Sequence, residues 1–259
     1  MEMIQAVIAA GEELNSPLIL QTSVSTIRYA SGEIFAAIVN AAAKRSKIPV
    51  ALHLDHGNSL QFAEELIKSG YSSIMIDGSH LPLEENIAFT KKAAEFCIKA
   101  AIPLEGELGR VGGKEDDIVS DDSVYTDPVE AVRFVEETGI SSLAIGVGTA
   151  HGVYKVTPVL KPDLISILRE KLPVPLVLHG ASGLEDAVVK DCISRGISKV
   201  NIATDLRIAY TQAVGEYLKQ DPDCIDPKKF GEAAKEAVKK VAMSRIMVCG
   251  CQDRANDSL

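Results

Sequence analysis

Short apolar, β-branched runs alternate along the chain with longer stretches whose apolar positions recur at helical spacing. The runs are Pro17–Thr22, Val50–Leu54, Ser73–Ile76, Ile102–Leu108, Ser142–Val147, Pro175–Leu178 and Lys199–Ala203. Between them lie amphipathic stretches such as Leu60–Lys68, Leu83–Ala100, Pro128–Thr138, Pro162–Lys171 and Leu184–Arg195. Gly70, Gly139 and Gly196 sit where such helices would stop, each a few residues before the next strand. Strand–helix alternation predicts a parallel sheet covered by helices, an α/β fold of the TIM (β/α)8-barrel type. Seven strands are legible, and the chain opens in a helix over Met3–Leu14. A closed eight-stranded barrel would then lack its first strand and leave two neighbouring strands with unpaired edges. No Gly/Ser/Pro linker or break in composition divides the pattern, so residues 1–259 are expected to form a single, N-terminally short barrel domain.

Composition agrees with this picture and narrows the partners. The 259 residues are 46% hydrophobic, ample for a core, and a single α/β barrel needs roughly 250. A net charge of -9 argues against nucleic acid, because neutralising phosphates takes clustered Lys and Arg. Phosphorylated metabolites remain compatible where the positive potential is local. No basic, apolar leader opens the chain and no uninterrupted apolar stretch of about 18 residues occurs, so neither secretion nor a membrane span is expected. Cys97, Cys192, Cys224, Cys249 and Cys251 form no CxxC and no regular framework, which fits a reduced, cytoplasmic protein.

Three of the five histidines, His56, His151 and His179, follow strand-like runs. Imidazoles at successive strand ends converge in space although far apart in sequence, and three nitrogen ligands leave a divalent metal open to substrate. In Ala51-Leu52-His53-Leu54-Asp55, side-chain alternation turns His53 and Asp55 to one side and the leucines to the other. With the leucines toward the helices, Asp55 is a candidate acid/base beside a metal held by His56, whereas His53, deeper in, reads as a satisfied interior histidine. Small, hydroxyl-bearing loops at Gly180-Ala181-Ser182-Gly183 and Asn201-Ile202-Ala203-Thr204 precede helices. They occupy the positions at which such barrels bind phosphate through backbone N–H groups and a helix N-terminus. Ordinary turn chemistry, with Thr204 or Asp205 as an N-cap, is the competing reading. The polar, glycine-hinged segment Gly109–Asp127 leaves the end of the Glu105-containing strand as a mobile lid would. Together these features suggest a metal-dependent lyase.

The motifs LHLDHG, MIDGSH, EGELGRVGGKEDD, GTAHGVY, LVLHGASG and VNIATDLR, in this order between about Met3 and Arg254, resemble class II, metal-dependent ketose-bisphosphate aldolases. The resemblance is nearest to the tagatose-bisphosphate branch, because many fructose-bisphosphate enzymes carry Asp at the position of Ala203. It implies zinc on His56, His151 and His179, with Asp77 and Glu107 holding or relaying a second metal position. It makes Asp55 the proton donor and acceptor at the cleaved bond and Glu115 the lid group that exchanges a proton with the three-carbon ketone. Gly152, Gly180, Ala181, Ser182, Asn201, Ile202, Ala203 and Thr204 would hold dihydroxyacetone phosphate, with Ser23 nearby; Asn201 also counts among the groups at the reacting carbons. Arg254 would reach the remote phosphate of a neighbouring subunit. A phosphorylated sugar as substrate, a homodimer or homotetramer and a monovalent cation beside the zinc complete the expectations. The departure from the family pattern is the missing leading helix and first strand.

Three rivals stay open at this point. A Schiff-base aldolase would need an inward lysine, and neither Lys155 nor Lys199, both near strand ends, is clearly inward by pattern. A metal-dependent hydrolase would use zinc to activate water. A catalytically impaired sugar-phosphate-binding protein would keep the loops and lose the chemistry.

Overall fold

The structure is a computed structural model that describes residues 1–115, 118–120, 123–154 and 158–257. In chain order its elements are α1 (Glu2–Glu13), β1 (Leu18–Ser23), α2 (Val24–Ala30), α3 (Gly32–Ala43), β2 (Val50–Gly57), α4 (Leu60–Ser69), β3 (Ser73–Ile76), α5 (Leu83–Ala100), β4 (Leu104–Leu108), β5 (Gly112–Glu115) and β6 (Ile118–Ser120). They continue with α6 (Pro128–Thr138), β7 (Ser142–Ile145), β8 (Ala150–His151), α7 (Pro162–Lys171), β9 (Leu176–Leu178), α8 (Asp186–Ser194), β10 (Ile197–Val200), α9 (Thr204–Gln220) and α10 (Pro227–Val248). The seven expected strands are all present, within a few residues of their predicted ends. α2, α3, α9 and α10 add to the helices the periodicity singled out.

The seven strands join in the order β1-β2-β3-β4-β7-β9-β10, with every pair from β2 to β10 parallel. This order follows the sequence without the reversal that marks a doubly wound sheet, so it is the order of a TIM-type barrel. Among the described residues β1 and β10 are the edges. β4 and β9 are buried along their whole length, as strands covered on both faces must be. The helices between them start and stop by local chemistry. The Ser59 side chain caps α4 by accepting from the Phe62 amide, and Gly70, at φ 104°, ends it. Asp127 caps α6, Pro128 occupies its first turn, and Gly139 closes it at φ 66°.

The chain divides into two compact units interleaved in sequence. One comprises Gln21–Ala37 and Ala51–Asn201, and holds the strands from β2 to β10 with α4 to α8. Its core includes Met75, Ala144 and Val177, all fully buried, from three strands of the sheet. The other comprises Met1–Leu20, Ile38–Val50 and Ile202–Leu259. There α10 buries Ala234, Val238, Ala242 and Ile246, a stripe spaced four residues apart that lies on one helix face. Ala242 and Ile246 pack with Ala10 of α1, and Val7, Leu14, Leu18 and Leu206 close around them. No described helix is long and apolar enough to cross a membrane.

Candidate metal centre

A bulge decides where the first ligand points. Leu54 pairs with Ile74 and Gly57 with Ile76, so three steps along β2 match two along β3. The extra residue comes with a left-handed backbone at His56, φ 48°. Simple alternation would send His56 toward the helices with Leu54. The bulge instead lets neighbouring Asp55 and His56 serve the same site. Gly57 is required beside it, because a Cβ there would stand 2.6 Å from the Met75 carbonyl oxygen.

His56, His151 and His179 converge, each offering a nitrogen within 4.8 Å of the others. The ring centroids are 4.8 Å apart for His56–His179, 5.1 Å for His56–His151 and 5.9 Å for His151–His179. Two of the rings are oriented by carboxylates. His56 Nδ1 lies 2.7 Å from Asp77 Oδ2, and His179 Nε2 lies 2.9 Å from Glu105 Oε1. Burial alone would raise the Asp77 carboxyl, but the hydrogen bond from His56 and those from Ser79 hold it well below the usual carboxylate range. Glu105 is likewise pushed up by burial and pulled well below its ordinary value by the Lys199 ammonium and the bond from His179.

These partners test whether a cation fits. Two ionised acceptors place the imidazole protons on the outer nitrogens, so His56 Nε2 and His179 Nδ1 face each other with lone pairs across 2.9 Å. Such a pair is repulsive without a shared positive charge. Nitrogens bound to one tetrahedral zinc at about 2.0–2.1 Å stand roughly 3.3 Å apart, close to the spacing found. The donor set is therefore suited to zinc.

His151 arrives differently from expectation. It lies six residues beyond β7, in the two-residue β8, which pairs with β5 so that Gly113 faces His151. Gly113 has φ 91°, and a Cβ on it would come within 2.3 Å of the His151 carbonyl oxygen. The described part of the polar segment 109–127 is thus not a plain lid loop: β5 and β6 form an antiparallel pair, and Arg110 bridges Val124. Tyr154 adds a second tie, its hydroxyl accepting from the Ala150 amide at 2.9 Å and donating to the Gly180 carbonyl at 2.8 Å.

Asp55 is 3% exposed, with Gln21 Nε2 donating to Oδ2 at 2.8 Å and Asn201 Nδ2 to Oδ1 at 3.4 Å. Asn201 Nδ2 also lies 3.1 Å from His179 Nε2, the nitrogen that Glu105 faces. Asp77 and Glu107 form a second group with His56 that is close enough to hold an ion. Burial, reinforced by the Asp77 charge, pushes the Glu107 carboxyl up to about 7. Glu107 Oε2 and Asn201 Oδ1 are buried without a hydrogen-bond partner among the described residues, as polar atoms awaiting a ligand would be.

Of the proposed phosphate residues in this unit, Gly180 has φ 66° and leaves no room for a Cβ against the Ala150 backbone. Ala181 and Ser182 are buried, and Gly152 has φ 86°. Ser23 Oγ is 3.0 Å from Thr26 Oγ1, at the head of α2. Ile202, Ala203 and Thr204 belong to the other unit, where Ala203 takes the N-cap position of α9 with no side-chain cap bond, instead of Thr204 or Asp205. Arg254, also there, is exposed and paired with Asp257 at 2.7 Å. The Glu115 backbone lies in β5, while its side chain, and Lys155 altogether, fall outside the described residues.

Pattern reading missed Gln21, Tyr154 and Glu105 as parts of the site. Glu105 carried a signal, being a carboxylate two residues from Glu107 on a strand otherwise fit for burial. It also left Lys199 undecided: the lysine is inward, its Nζ 2.9 Å from Glu105 Oε2. His53 is 1% exposed and bonds Ser73 Oγ through Nδ1, yet its Nε2 has no hydrogen-bond partner among the described residues, so it is only half satisfied.

A sequence-ordered parallel sheet that gathers imidazoles and a buried carboxylate at its strand ends is the arrangement of TIM-type barrel enzymes. The sequence profile described as "Fructose-bisphosphate aldolase class-II" matches residues 1–254, and the chain belongs to that family. Aldolases are lyases. Among solved structures, the YdjI aldolase from Escherichia coli K12 is 35% identical, with a TM-score of 0.84 over 99% of this chain and 90% of that one. A provisionally assigned fructose-1,6-biphosphate aldolase from Coccidioides immitis is 28% identical, with a TM-score of 0.90 over 99% and 90% of the two chains. The fructose-bisphosphate aldolase of Campylobacter jejuni is 27% identical, with a TM-score of 0.83 over 97% and 88%.

Proposed function

We propose that the chain is a zinc-dependent aldolase that reversibly cleaves a ketose 1,6-bisphosphate, tagatose or fructose, to dihydroxyacetone phosphate and glyceraldehyde 3-phosphate. The observation that carries this reading is the pair of carboxylate-oriented imidazoles, His56 and His179, whose inner nitrogens face each other at 2.9 Å. His56, His151 and His179 would hold the zinc, in keeping with a family that generally depends on it. Zinc, when bound, supplies a Lewis acid that draws electron density from the substrate ketone.

The remaining work falls to the chain itself. Asp55 takes the proton from the hydroxyl of the carbon that becomes the aldehyde, and returns it in condensation. Gln21 and Asn201 keep the Asp55 carboxylate from turning away, one on each oxygen. Glu115 delivers the proton to the three-carbon fragment. Gly152, Gly180–Ser182 and Asn201–Thr204 anchor its phosphate through backbone N–H groups, and Ser23 assists, so that binding far from the broken bond fixes orientation. Asp77 and Glu107 offer an alternative position for the ion beside His56, and a monovalent cation accompanies it. Arg254 serves the far phosphate of a neighbouring subunit in a homodimer or homotetramer. The two interleaved units are read as one catalytic domain, supported by a family match that runs through both. Free cysteines throughout the chain support a cytoplasmic setting.

The test combines metal analysis of the purified chain with release of dihydroxyacetone phosphate from fructose and tagatose 1,6-bisphosphates. About one zinc per chain is expected, with cleavage lost to a chelator and restored by zinc. Cleavage that survives chelation and is trapped by borohydride would reject the reading in favour of a Schiff base. The preference between the two sugars reads out directly in the same assay.

A further inference from the structure

We infer that Glu105, braced by Lys199, is a positioning residue that decides which nitrogen of His179 faces the metal centre. Glu105 is the second residue of buried β4 and is 2% exposed. Its two oxygens have separate tasks. Oε1 lies 2.9 Å from His179 Nε2, and Oε2 lies 2.9 Å from Lys199 Nζ. A neutral imidazole carries one proton, and either nitrogen can bear it. A carboxylate accepts only, and at 2.9 Å its charge outweighs the neutral Asn201 amide nitrogen 3.1 Å from the same Nε2, so it draws the proton to Nε2 and leaves the Nδ1 lone pair turned to His56.

Lys199 reaches this carboxylate from β10, and its side chain is 14% exposed. A carboxylate this deep is costly without a partner charge, so the ammonium is what permits Glu105 to stay an acceptor. The other candidate partner is His53, whose Nε2 is 3.8 Å from Glu105 Oε2, too far for a hydrogen bond. His53 is held neutral by burial and by Lys199, its pKa lowered to about 3, so it does not replace the lysine. The same pairing gives Lys199 a structural task.

The inference rests on the metal reading proposed above, and two measurements keep their failures apart. The first needs no metal. In metal-free protein labelled with nitrogen-15, long-range imidazole spectra are expected to show His179 protonated on Nε2. The opposite tautomer there would overturn the inference whatever the zinc result. The second is the affinity for Zn²⁺, by competition with a chromophoric chelator, on the full-length chain. Glu105→Ala is expected to weaken zinc about 10–100-fold, and Glu105→Gln, which keeps an acceptor oxygen, to recover much of that loss. Lys199→Met is expected to weaken zinc about tenfold, the lower end of the same range. Should Glu105→Ala fail to fold, Lys199→Met and Glu105→Gln decide. Folded Lys199→Met protein with unchanged zinc affinity and unchanged tautomer overturns the inference. Wild-type protein that binds no zinc but shows the expected tautomer sinks the metal reading and leaves the positioning of His179 standing.

Discussion

His56 and His179 differ from His151 in what holds them. The first two belong to, or directly follow, strands of the seven-stranded sheet, are buried, and lean on buried or nearly buried carboxylates, Asp77 and Glu105. His151 is partly exposed and sits in a separate three-stranded sheet of order β6-β5-β8, where backbone pairing with Gly113 and the Tyr154 bridge locate it. Two of the proposed ligands are thus fixed by the core, and the third is delivered by the segment after β7. The core pair would set the identity of the metal site, and the delivered ligand would complete it.

Breaking the core pair should have the largest effect. His179→Ala is expected to lose both zinc and turnover to the limit of detection while keeping the fold, as measured by metal content, dihydroxyacetone phosphate release and circular dichroism. Removing the acid/base beside the pair comes next. Asp55→Asn should retain zinc but lower kcat by about 10²–10⁴, the range for a single proton-transfer group, in steady-state kinetics. The third change tests the delivered ligand from its neighbour. Gly113→Ala introduces a Cβ 2.3 Å from the His151 carbonyl oxygen at a backbone φ of 91°. It should cost about 1–3 kcal/mol in denaturant unfolding and weaken zinc, with the His56–His179 pair left in place. Equal zinc affinity in this variant would mean that the β5–β8 pairing does not govern His151. The smallest effect is expected from Tyr154→Phe, which removes the tie between Ala150 and Gly180. A loss of about 1 kcal/mol in stability, with a several-fold fall in kcat/KM, would match the net worth of such hydrogen bonds.

The order and type of the strands were open to pattern reading because fully buried parallel strands must be apolar along their length and helices must stop at identifiable caps. β3, with Ile74, Met75 and Ile76 all buried, and α6, from Asp127 to Gly139, are examples. The convergence of His56, His151 and His179 was open for the same reason: residues that end barrel strands have few other places to go. His56 was expected to join His151 and His179, and it does, but not by an orientation that alternation could supply. That orientation follows from a register shift against β3, a property of two strands together. His151 was assigned to a strand end, whereas it lies in a strand of its own whose partner, Gly112–Glu115, reads in sequence as a polar loop. Glu105 gave a weak signal, and its meaning depended on Lys199, ninety-four residues away.

By itself, then, the chain determined the α/β class, the seven strands and the histidines that gather at strand ends, because hydrophobic period and helix capping act over a few neighbouring residues. Only the tertiary structure decided which ring nitrogen faces which, that Lys199 turns inward to a carboxylate, and how His151 reaches the others. Those outcomes depend on strand register and on buried charges finding one another, and both are set by contacts between segments far apart in sequence.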